Sequence, residues 1–430
     1  MRKISKLSLV AAVAVAGFST ANAQPLEEAI KNVEVSGSVV YRYNDYNNDS
    51  KDNVSAGEGS TTNNNYKVGL NLTSKVNDYV KFNSRFLVAS ETGDFAGNPG
   101  LDTQSNPDSN VDVELSHAYF ALTAIPNTTV NVGKQGLTTP WTVALDSDGN
   151  EQTGTGVLAL STVGPVTFGA GYFNQTNLDL SGNGTSIPAL RVNPATNPAD
   201  PDFGKLNYSV DAKDLIDGAE DIAVAAIIAD LSPVTLDAWY LDMQDVFDTY
   251  TIGAKSDFKF DGGKVGIDAR YVSLTLDDKI ADKDNNAIAK IAVTGNLGIF
   301  NAKVAYANTD KDGGLTALDQ DAEATLLGWN ITANGKADAD YWQGVLGVNI
   351  LDNLNLSANY GNIQYKLYAD NNTEVEEEEI YAQLTYKMSK NLNTYVRYGT
   401  YTREYNKSVG NNGDEINDDV RGRLQVEYTF

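Results

Sequence analysis

The sequence predicts an all-β protein, a transmembrane antiparallel β-barrel of about 18 strands. Three observations predict it: apolar and polar residues alternate from Val33 to Phe430, the alternating segments have similar lengths, and their connections are alternately short and long. A period of two is typical of strands with differing faces. Segments of roughly ten to fourteen residues are long enough to cross a bilayer at a tilt, which takes about 9–11 residues.

The amino terminus reads as a secretory signal peptide covering residues 1–23. Basic residues near the start precede an apolar run that ends at Phe18, and Ala21-Asn22-Ala23 supplies the small residues that signal peptidase requires. Residues 24–430 then form a single barrel, since no linker or charge block divides them. After the signal, no apolar run reaches the ~20 residues of a spanning helix.

The overall charge and the composition exclude several classes of protein. The formal net charge of −25 argues against nucleic acid as a partner and favours a surface that attracts cations. The chain has no cysteine, which excludes disulfides and thiol chemistry. Glycine-rich phosphate loops and His/Cys metal clusters are absent from the sequence as well.

The alternating pattern places strands at regular intervals along the chain. The predicted strands are 33–45, 65–76, 79–90, 111–123, 128–136, 154–163, 166–176, 220–231, 234–245, 248–260, 263–276, 287–297, 299–310, 339–350, 353–369, 375–388, 391–405 and 418–430. The last strand alternates up to two terminal aromatics, Tyr428 and Phe430. Its edge needs a partner within the membrane, so we expect it to pair with the first strand and close the barrel.

The connections distinguish the two ends of the barrel. Those after even-numbered strands are tight turns, whereas those after odd-numbered strands are mostly long and polar. This asymmetry is typical of an outer-membrane barrel with short periplasmic turns and long extracellular loops. The long connections are 46–64, 91–110, 137–153, 177–219, 311–338 and 406–417. Within them, 325–331 reads as either a further strand or a loop hairpin.

The alternation also assigns the two faces of the wall. One row is apolar and is expected to face lipid; the other is polar and is expected to face the lumen. A soluble β-sandwich also alternates, but its core has no place for a charged row. A barrel of this size leaves an aqueous channel. The basic residues that parity places on the lumen wall are Arg42, Lys67, Arg85, Arg270, Arg397, Arg421 and Arg423.

Several stretches resemble the Campylobacter-type major outer-membrane porins. The resemblance is dense at the amino terminus and consists of short matches elsewhere; the stretches are Ser5–Ala12, Pro25–Gly37, Tyr41–Tyr43, Gly133–Gln135, Trp141–Thr142, Gly154–Val157 and Arg423–Gln425, with an aromatic terminus. The resemblance implies a homotrimeric porin whose third extracellular loop folds into each pore. It also implies a preference for cations and, in some members, bound calcium.

The loop 137–153 carries the acidic residues of the predicted constriction: Asp146, Asp148 and Glu151. If it folds inward, as the resemblance implies, these acids face the basic wall and create a transverse field that sets ion preference. The spacing Asp146-x-Asp148-x-Asn150 offers alternating oxygen ligands of the kind calcium prefers, although it is not an EF-hand. Transport itself requires no cofactor.

Two further features of the sequence bear on function. The acidic run from Glu374 to Glu379 is interpreted as a mouth charge, that is, a cluster of negative charge at the pore mouth that concentrates cations. His117 is the only histidine, and its neighbour Ser116 should point to the opposite face, so the two cannot pair as in a hydrolase. We therefore expect no enzymatic activity.

The predicted function is that of a general porin of the bacterial outer membrane. It would let ions, preferentially cations, and small hydrophilic solutes diffuse passively, surrounded by outer-membrane lipid and lipopolysaccharide. The alternative is a surface adhesin or receptor barrel that uses its long extracellular loops, 177–219 and 311–338.

Overall fold

The structure is a computed structural model. It describes residues 33–48, 59–88, 96–97, 113–147, 149, 151–178, 181, 190–191, 209–210, 216, 218–277, 285–366, 373–407 and 415–430. The predicted signal peptide lies outside these residues. Among the described residues, no helix is long and apolar enough to cross a membrane.

The described residues form antiparallel strands joined by turns and loops. The strands are Val33–Asn48 (β1), Gly59–Asn77 (β2), Val80–Val88 (β3), Ala96–Gly97 (β4), Val113–Leu122 (β5), Thr128–Gly136 (β6), Thr153–Val163 (β7), Val166–Thr176 (β8), Leu190–Arg191 (β9), Ser209–Val210 (β10), Ile222–Asp230 (β11), Val234–Met243 (β12), Phe247–Phe260 (β13), Gly263–Leu276 (β14), Asn285–Leu297 (β15), Phe300–Thr309 (β16), Ala337–Leu351 (β17), Leu354–Lys366 (β18), Glu374–Lys387 (β19), Leu392–Lys407 (β20) and Glu415–Thr429 (β21).

Eighteen of these strands form a closed barrel, which confirms the predicted fold. Each barrel strand pairs with the next along the chain, and β21 pairs with β1, for example through Val426 and Tyr41. The short strands β4, β9 and β10 lie outside this ring: β4 pairs with β2, and β9 pairs with β10. Because the ring is closed, its strands have no edge exposed to lipid.

The closing seam reaches the last residue of the chain. The Gly37 amide donates to the Phe430 carbonyl at 2.9 Å, and the Phe430 amide donates to the Gly37 carbonyl at 3.0 Å. A side chain at position 37 would overlap the Phe430 ring and the Gly69 carbonyl, so this crossing requires glycine. The terminal aromatic pair also stacks, with the Tyr428 and Phe430 centroids 5.8 Å apart.

The two faces of the wall follow the predicted parity. On β1, Val35, Val39 and Tyr41 are exposed on the outside, whereas Arg42 and Asn44 are buried inside. The outer surface of the later strands repeats this pattern with exposed aliphatic residues and tyrosines, including Ile267, Tyr271, Leu356 and Tyr360. Such an apolar exterior is what a lipid-embedded barrel presents.

The long loop 310–336 lies inside the barrel and changes the expected lumen. Its apolar residues form one buried cluster with inward-facing residues of β14 to β19: Leu315, Leu318 and Ile331 with Val272, Leu274, Ile288, Ile363 and Val375. Parity had predicted a polar row on this inner wall. At these positions the wall is apolar instead, because a loop rather than water covers it.

The segment 325–331 is part of a loop hairpin and not a barrel strand. Leu327 and Thr332 form an isolated antiparallel bridge. The Ala333 amide donates to the Leu326 carbonyl at 3.0 Å, and the Gly328 amide donates to the Ile331 carbonyl at 2.7 Å. The structure thus decides between the two predicted alternatives. The turn at the tip of this hairpin projects towards β19 and β21.

Candidate pore constriction

The loop 137–152, named here the first constriction loop, folds into the barrel, as predicted. Trp141 is completely buried. Lys67 on β2 donates from Nζ to the carbonyl oxygens of Asp146 and Gly149, both at 2.6 Å. These charge-assisted bonds satisfy loop carbonyls inside the barrel. Lys67, predicted as a wall base, therefore holds the backbone of this loop.

A buried ion pair fixes the end of the first constriction loop to the wall. Arg85 Nη2 on β3 lies 2.6 Å from Glu151 Oε1, and Arg85 Nε donates to Glu151 Oε2 at 2.8 Å. Ser116 Oγ donates to the same carboxylate oxygen at 2.8 Å. The predicted loop acid Glu151 and the predicted wall base Arg85 thus contact each other directly, so the charges of this pair largely cancel.

A bulge in β5 explains how Ser116 reaches the lumen. Arg85 pairs with His117, and the next pair along β3 is Phe86 with Leu115, so Ser116 is the extra residue. A bulge re-aims side chains that strict alternation would put on opposite faces. The pairing of His117 with inward-facing Arg85 places it on the lumen side, and Ser116 lies on that side as well, which corrects the expectation that the two point to opposite faces. The Ser116 hydroxyl donates to Glu151.

The loop 310–336, named here the second constriction loop, packs on the first. The Leu318 amide donates to the Trp141 carbonyl at 2.8 Å, and the Ala324 amide donates to the Pro140 carbonyl at 2.7 Å. Gln152 Nε2 returns a bond to the Leu318 carbonyl at 2.8 Å. The two loops therefore pack together as one unit inside the lumen.

Bases of the opposite wall hold the second constriction loop. Arg270 contacts Asp237 at 2.8 Å and Glu323 at 3.1 Å, and Lys255 contacts Glu323 at 2.8 Å. Burial raises the pKa of Glu323, but the hydrogen bond and charge of Lys255, together with Arg270 and Lys290, hold its pKa below the usual value. Arg270, predicted as a wall base, is thus an anchor of this loop.

The acidic run 374–379 is divided between the two faces of β19, which corrects its interpretation as a mouth charge. Glu377 and Glu379 face inward and are buried. Glu377 contacts Lys336 at 2.8 Å, and Glu379 accepts the amides of Trp329 and Asn330 at 2.9 and 2.8 Å. These two carboxylates bind the second constriction loop, because alternation along a strand turns every second residue inward.

The two loops bring three carboxylates together at their contact. Asp146 of the first loop lies with Asp319 and Asp321 of the second, and one carboxylate oxygen from each falls within 4.8 Å of the others. Asp146 and Asp319 are buried. Asp148 and Asn150, the other predicted residues of the first loop, lie outside the described residues. The acidic side of the constriction is therefore built from both loops.

The remaining predicted bases line β1, β20 and β21. Arg42 donates to Gln425 at 2.9 Å, and Arg423 donates to Asn44 at 2.7 Å. Arg397 donates to Gln383 at 2.8 Å. Arg421 donates to Asp419 at 3.0 Å and also contacts Asn330 in the second loop. These four arginines, the basic wall, lie on neighbouring strands around the closing seam.

Comparison with known protein families identifies the family to which this chain belongs. The family described as Campylobacter major outer membrane protein matches residues 1–430, the whole chain. The chain belongs to this family. Membership confirms the predicted resemblance and places the chain in the bacterial outer membrane.

Solved structures share the architecture of this Campylobacter-type barrel. OccK5 (OpdH) of Pseudomonas aeruginosa is 18% identical with a TM-score of 0.61, covering 92% of this chain and 98% of that chain. OccAB1 of Acinetobacter baumannii is 15% identical with a TM-score of 0.64, covering 92% and 96%. OccK2 (OpdF) of Pseudomonas aeruginosa, solved in complex with glucuronate, is 13% identical with a TM-score of 0.63, covering 92% and 98%. At these identities the likeness shows the fold alone. No curated protein matches the chain.

Sequence reasoning missed the residues that the second constriction loop contributes to the site. These are Asp319 and Asp321 of the acidic cluster and Trp329 at the tip, whose amide donates to Glu379 of β19. One signal was available: the loop carries Leu315, Ala317, Leu318, Ala322, Ala324 and Leu326 at close spacing, which is unusual in a solvated extracellular loop.

Proposed function

We propose that this chain is a porin, a passive channel for ions and small hydrophilic solutes. The observation that carries the proposal is the constriction itself: two loops fold into an eighteen-stranded barrel and bring acidic residues together in a lumen whose wall also carries basic residues. A barrel of this size encloses more space than its own wall side chains can fill. Charged side chains that line a narrow passage attract polar solutes and ions and disfavour apolar solutes.

The preferred ion is a cation in this proposal. The chain has a net charge of −25, which attracts cations. Within the constriction, the bases Arg85 and Arg270 are paired with carboxylates, so they add little positive potential. The acidic cluster of Asp146, Asp319 and Asp321 supports the same sign. The channel carries out no chemical reaction.

Reversal potentials across a potassium chloride gradient in planar bilayers test this proposal. The unmodified protein should give discrete conductance steps and a reversal potential on the cation-selective side. Asp319→Asn should move that potential towards zero, while Asp78→Asn, in an exposed periplasmic turn, should leave it unchanged. An anion-selective potential in the unmodified protein would remove the cation claim. The absence of any conductance, together with no uptake of glucose or glucuronate by liposomes, would contradict the proposal that the chain is a channel.

Calcium is the cation that would fit the acidic cluster. One carboxylate oxygen from each of the three residues lies within 4.8 Å of the others, and carboxylate oxygens are the ligands that calcium takes. Asp146, Asp319 and Asp321 would hold the ion, and it would join the two constriction loops. Terbium luminescence on the purified chain should be displaced by calcium and lost in Asp319→Asn. Equal luminescence in the variant would contradict this assignment.

The partners of the barrel follow from its place in the membrane. The homotrimer is what the family resemblance implies, and lipopolysaccharide is the lipid that the outer leaflet would present to exposed tyrosines such as Tyr271 and Tyr360. Native mass spectrometry from mild detergent should give three chains. A single chain across several detergents would contradict the trimer.

One of the two loops on which the adhesin alternative depends is not on the outer surface. Residues 310–336 are packed inside the barrel, so they do not offer the extracellular surface that the alternative needs. The loop 177–219 lies mostly outside the described residues. No contact among the described residues favours adhesion over diffusion.

A further inference from the structure

The basic wall contains two like charges in direct register. Arg397 on β20 and Arg423 on β21 are cross-strand partners, and both lie on the inward rows of their strands. Like charges directly opposite each other destabilise a sheet. Two adjacent guanidinium groups beside a water-filled passage would also attract anions, because they offer forked donors to an anionic group. This pair therefore opposes the cation preference proposed above.

An indole ring lies over both of these arginines. The Cζ atom of Arg397 is 5.0 Å from the ring centroid of Trp329, and the Cζ atom of Arg423 is 5.8 Å from the same centroid. Tyr381 and Tyr395 add two further rings at 4.9 and 5.1 Å from Arg397. The faces of aromatic rings attract cations, so these contacts offset the repulsion between the two guanidinium groups.

The position of Trp329 is fixed by the backbone around it. Its amide and that of Asn330 donate to the two oxygens of Glu379, a buried side chain on β19. Gly328 comes so close to that carboxylate that a Cβ would overlap it. The Trp329 ring also packs edge-on against Tyr381, with centroids 5.2 Å apart. The wall thus holds the ring over the arginine pair.

We propose that Trp329 determines the ionic selectivity of the pore by covering the Arg397–Arg423 pair. The arginines keep their charge, but an anion in the passage meets the indole rather than the guanidinium donors. The acids of the two constriction loops then act with less competition. This inference rests on the proposed function, because it requires a channel that conducts ions.

The first test compares single-residue variants of the full-length protein in planar bilayers. Trp329→Ala should lower the ratio of potassium to chloride permeability roughly two- to threefold, since surface potentials of the order of kT govern local ion concentrations. Its conductance should rise as the passage widens. Trp329→Phe keeps a ring and should stay near the native ratio. Trp342→Ala is the matched control, because Trp342 is exposed on the outside of β17.

The second test asks whether the arginines cause the shift. Arg397→Gln with Arg423→Gln should restore the native ratio in the Trp329→Ala background but change it little when Trp329 is present. A large rise in the ratio from this double substitution in the native background would overturn the proposal. So would a Trp329→Ala channel that conducts with an unchanged ratio. A native chain with no ion conductance would instead overturn the proposed function itself.

Discussion

Glu151→Gln tests how strongly the first constriction loop is held against the wall. The native carboxylate accepts three bonds from Arg85, one from Nη2 at 2.6 Å and two from Nε at 2.8 and 2.9 Å, and one from Ser116 at 2.8 Å; both charged side chains are buried. Removing one partner of a buried pair costs about 3–5 kcal/mol, because the other charge stays buried without compensation. At the lower end, this increases local opening of the loop by roughly a hundredfold.

Hydrogen exchange of two loop amides measures this opening. The Leu137 amide donates to the Gln152 carbonyl and the Gln152 amide to the Val143 carbonyl, both at 2.9 Å, so both report on closure of the loop. Both should exchange roughly a hundredfold faster in Glu151→Gln. Ser116→Ala removes one bond to a charged group, about 1.5–3 kcal/mol, and should give a smaller increase. Native exchange rates in Glu151→Gln would refute the anchoring role.

Three other perturbations test the second constriction loop and the seam. Gly328→Ala should loosen the loop tip by about 1–3 kcal/mol, because the added methyl group overlaps Glu379; faster exchange of the tip amides would show it, and unchanged exchange would contradict it. The pKa of Glu323 is lowered in the folded state, so its bond to Lys255 stabilises the loop at pH values above the usual pKa of glutamate. This stabilisation is lost as the pH falls through the lowered pKa. Loop exchange should therefore rise on acidification in the native protein and depend far less on pH in Glu323→Gln. Deleting Phe430 removes two hydrogen bonds of the closing seam, which stabilise the folded barrel by about 1–3 kcal/mol. Samples heated to a series of temperatures before electrophoresis should therefore shift from the folded to the unfolded gel mobility at a lower temperature.

The wall of the barrel was predictable because its determinants are local. Each strand alternates along its own length, and a closed antiparallel ring needs only neighbours in sequence. The predicted segments 128–136, 166–176 and 263–276 coincide with the observed strands. The closing seam followed from the same reasoning, since an unpaired last strand cannot remain in lipid.

The interior of the barrel was predictable only in part, because it is built by contacts between distant segments. Asp146 and Asp319 are far apart in the sequence, and no spacing rule connects them. The bulge at Ser116 interrupts the alternation and reverses the expected face of one residue in the pair Ser116–His117. The sequence shows 374–379 as a run of acids. That Glu377 and Glu379 bind a loop while their neighbours face outward could not be predicted, because the loop that covers β19 was not recognised.

Three of the seven bases that parity placed on the lumen wall serve as attachments. Lys67 binds backbone carbonyls, Arg85 binds Glu151, and Arg270 binds Asp237 and Glu323. A loop that folds into a barrel brings its backbone polar groups out of bulk water, and each needs a partner. Charged residues meet this need with the strongest bonds, since a buried charge requires a buried countercharge or several donors.

This use of charge changes how selectivity is deduced from a sequence. A wall base paired with a loop acid contributes little to the potential in the passage, so counting bases overestimates the attraction for anions. In the proposed channel, we expect the groups that act on permeating ions to be Asp146, Asp319 and Asp321 where the two loops meet, and the arginines around the seam. Of these, Arg397 and Arg423 lie beneath Trp329. In the proposed channel, the strength of the cation preference therefore depends on Trp329 as well as on the acids.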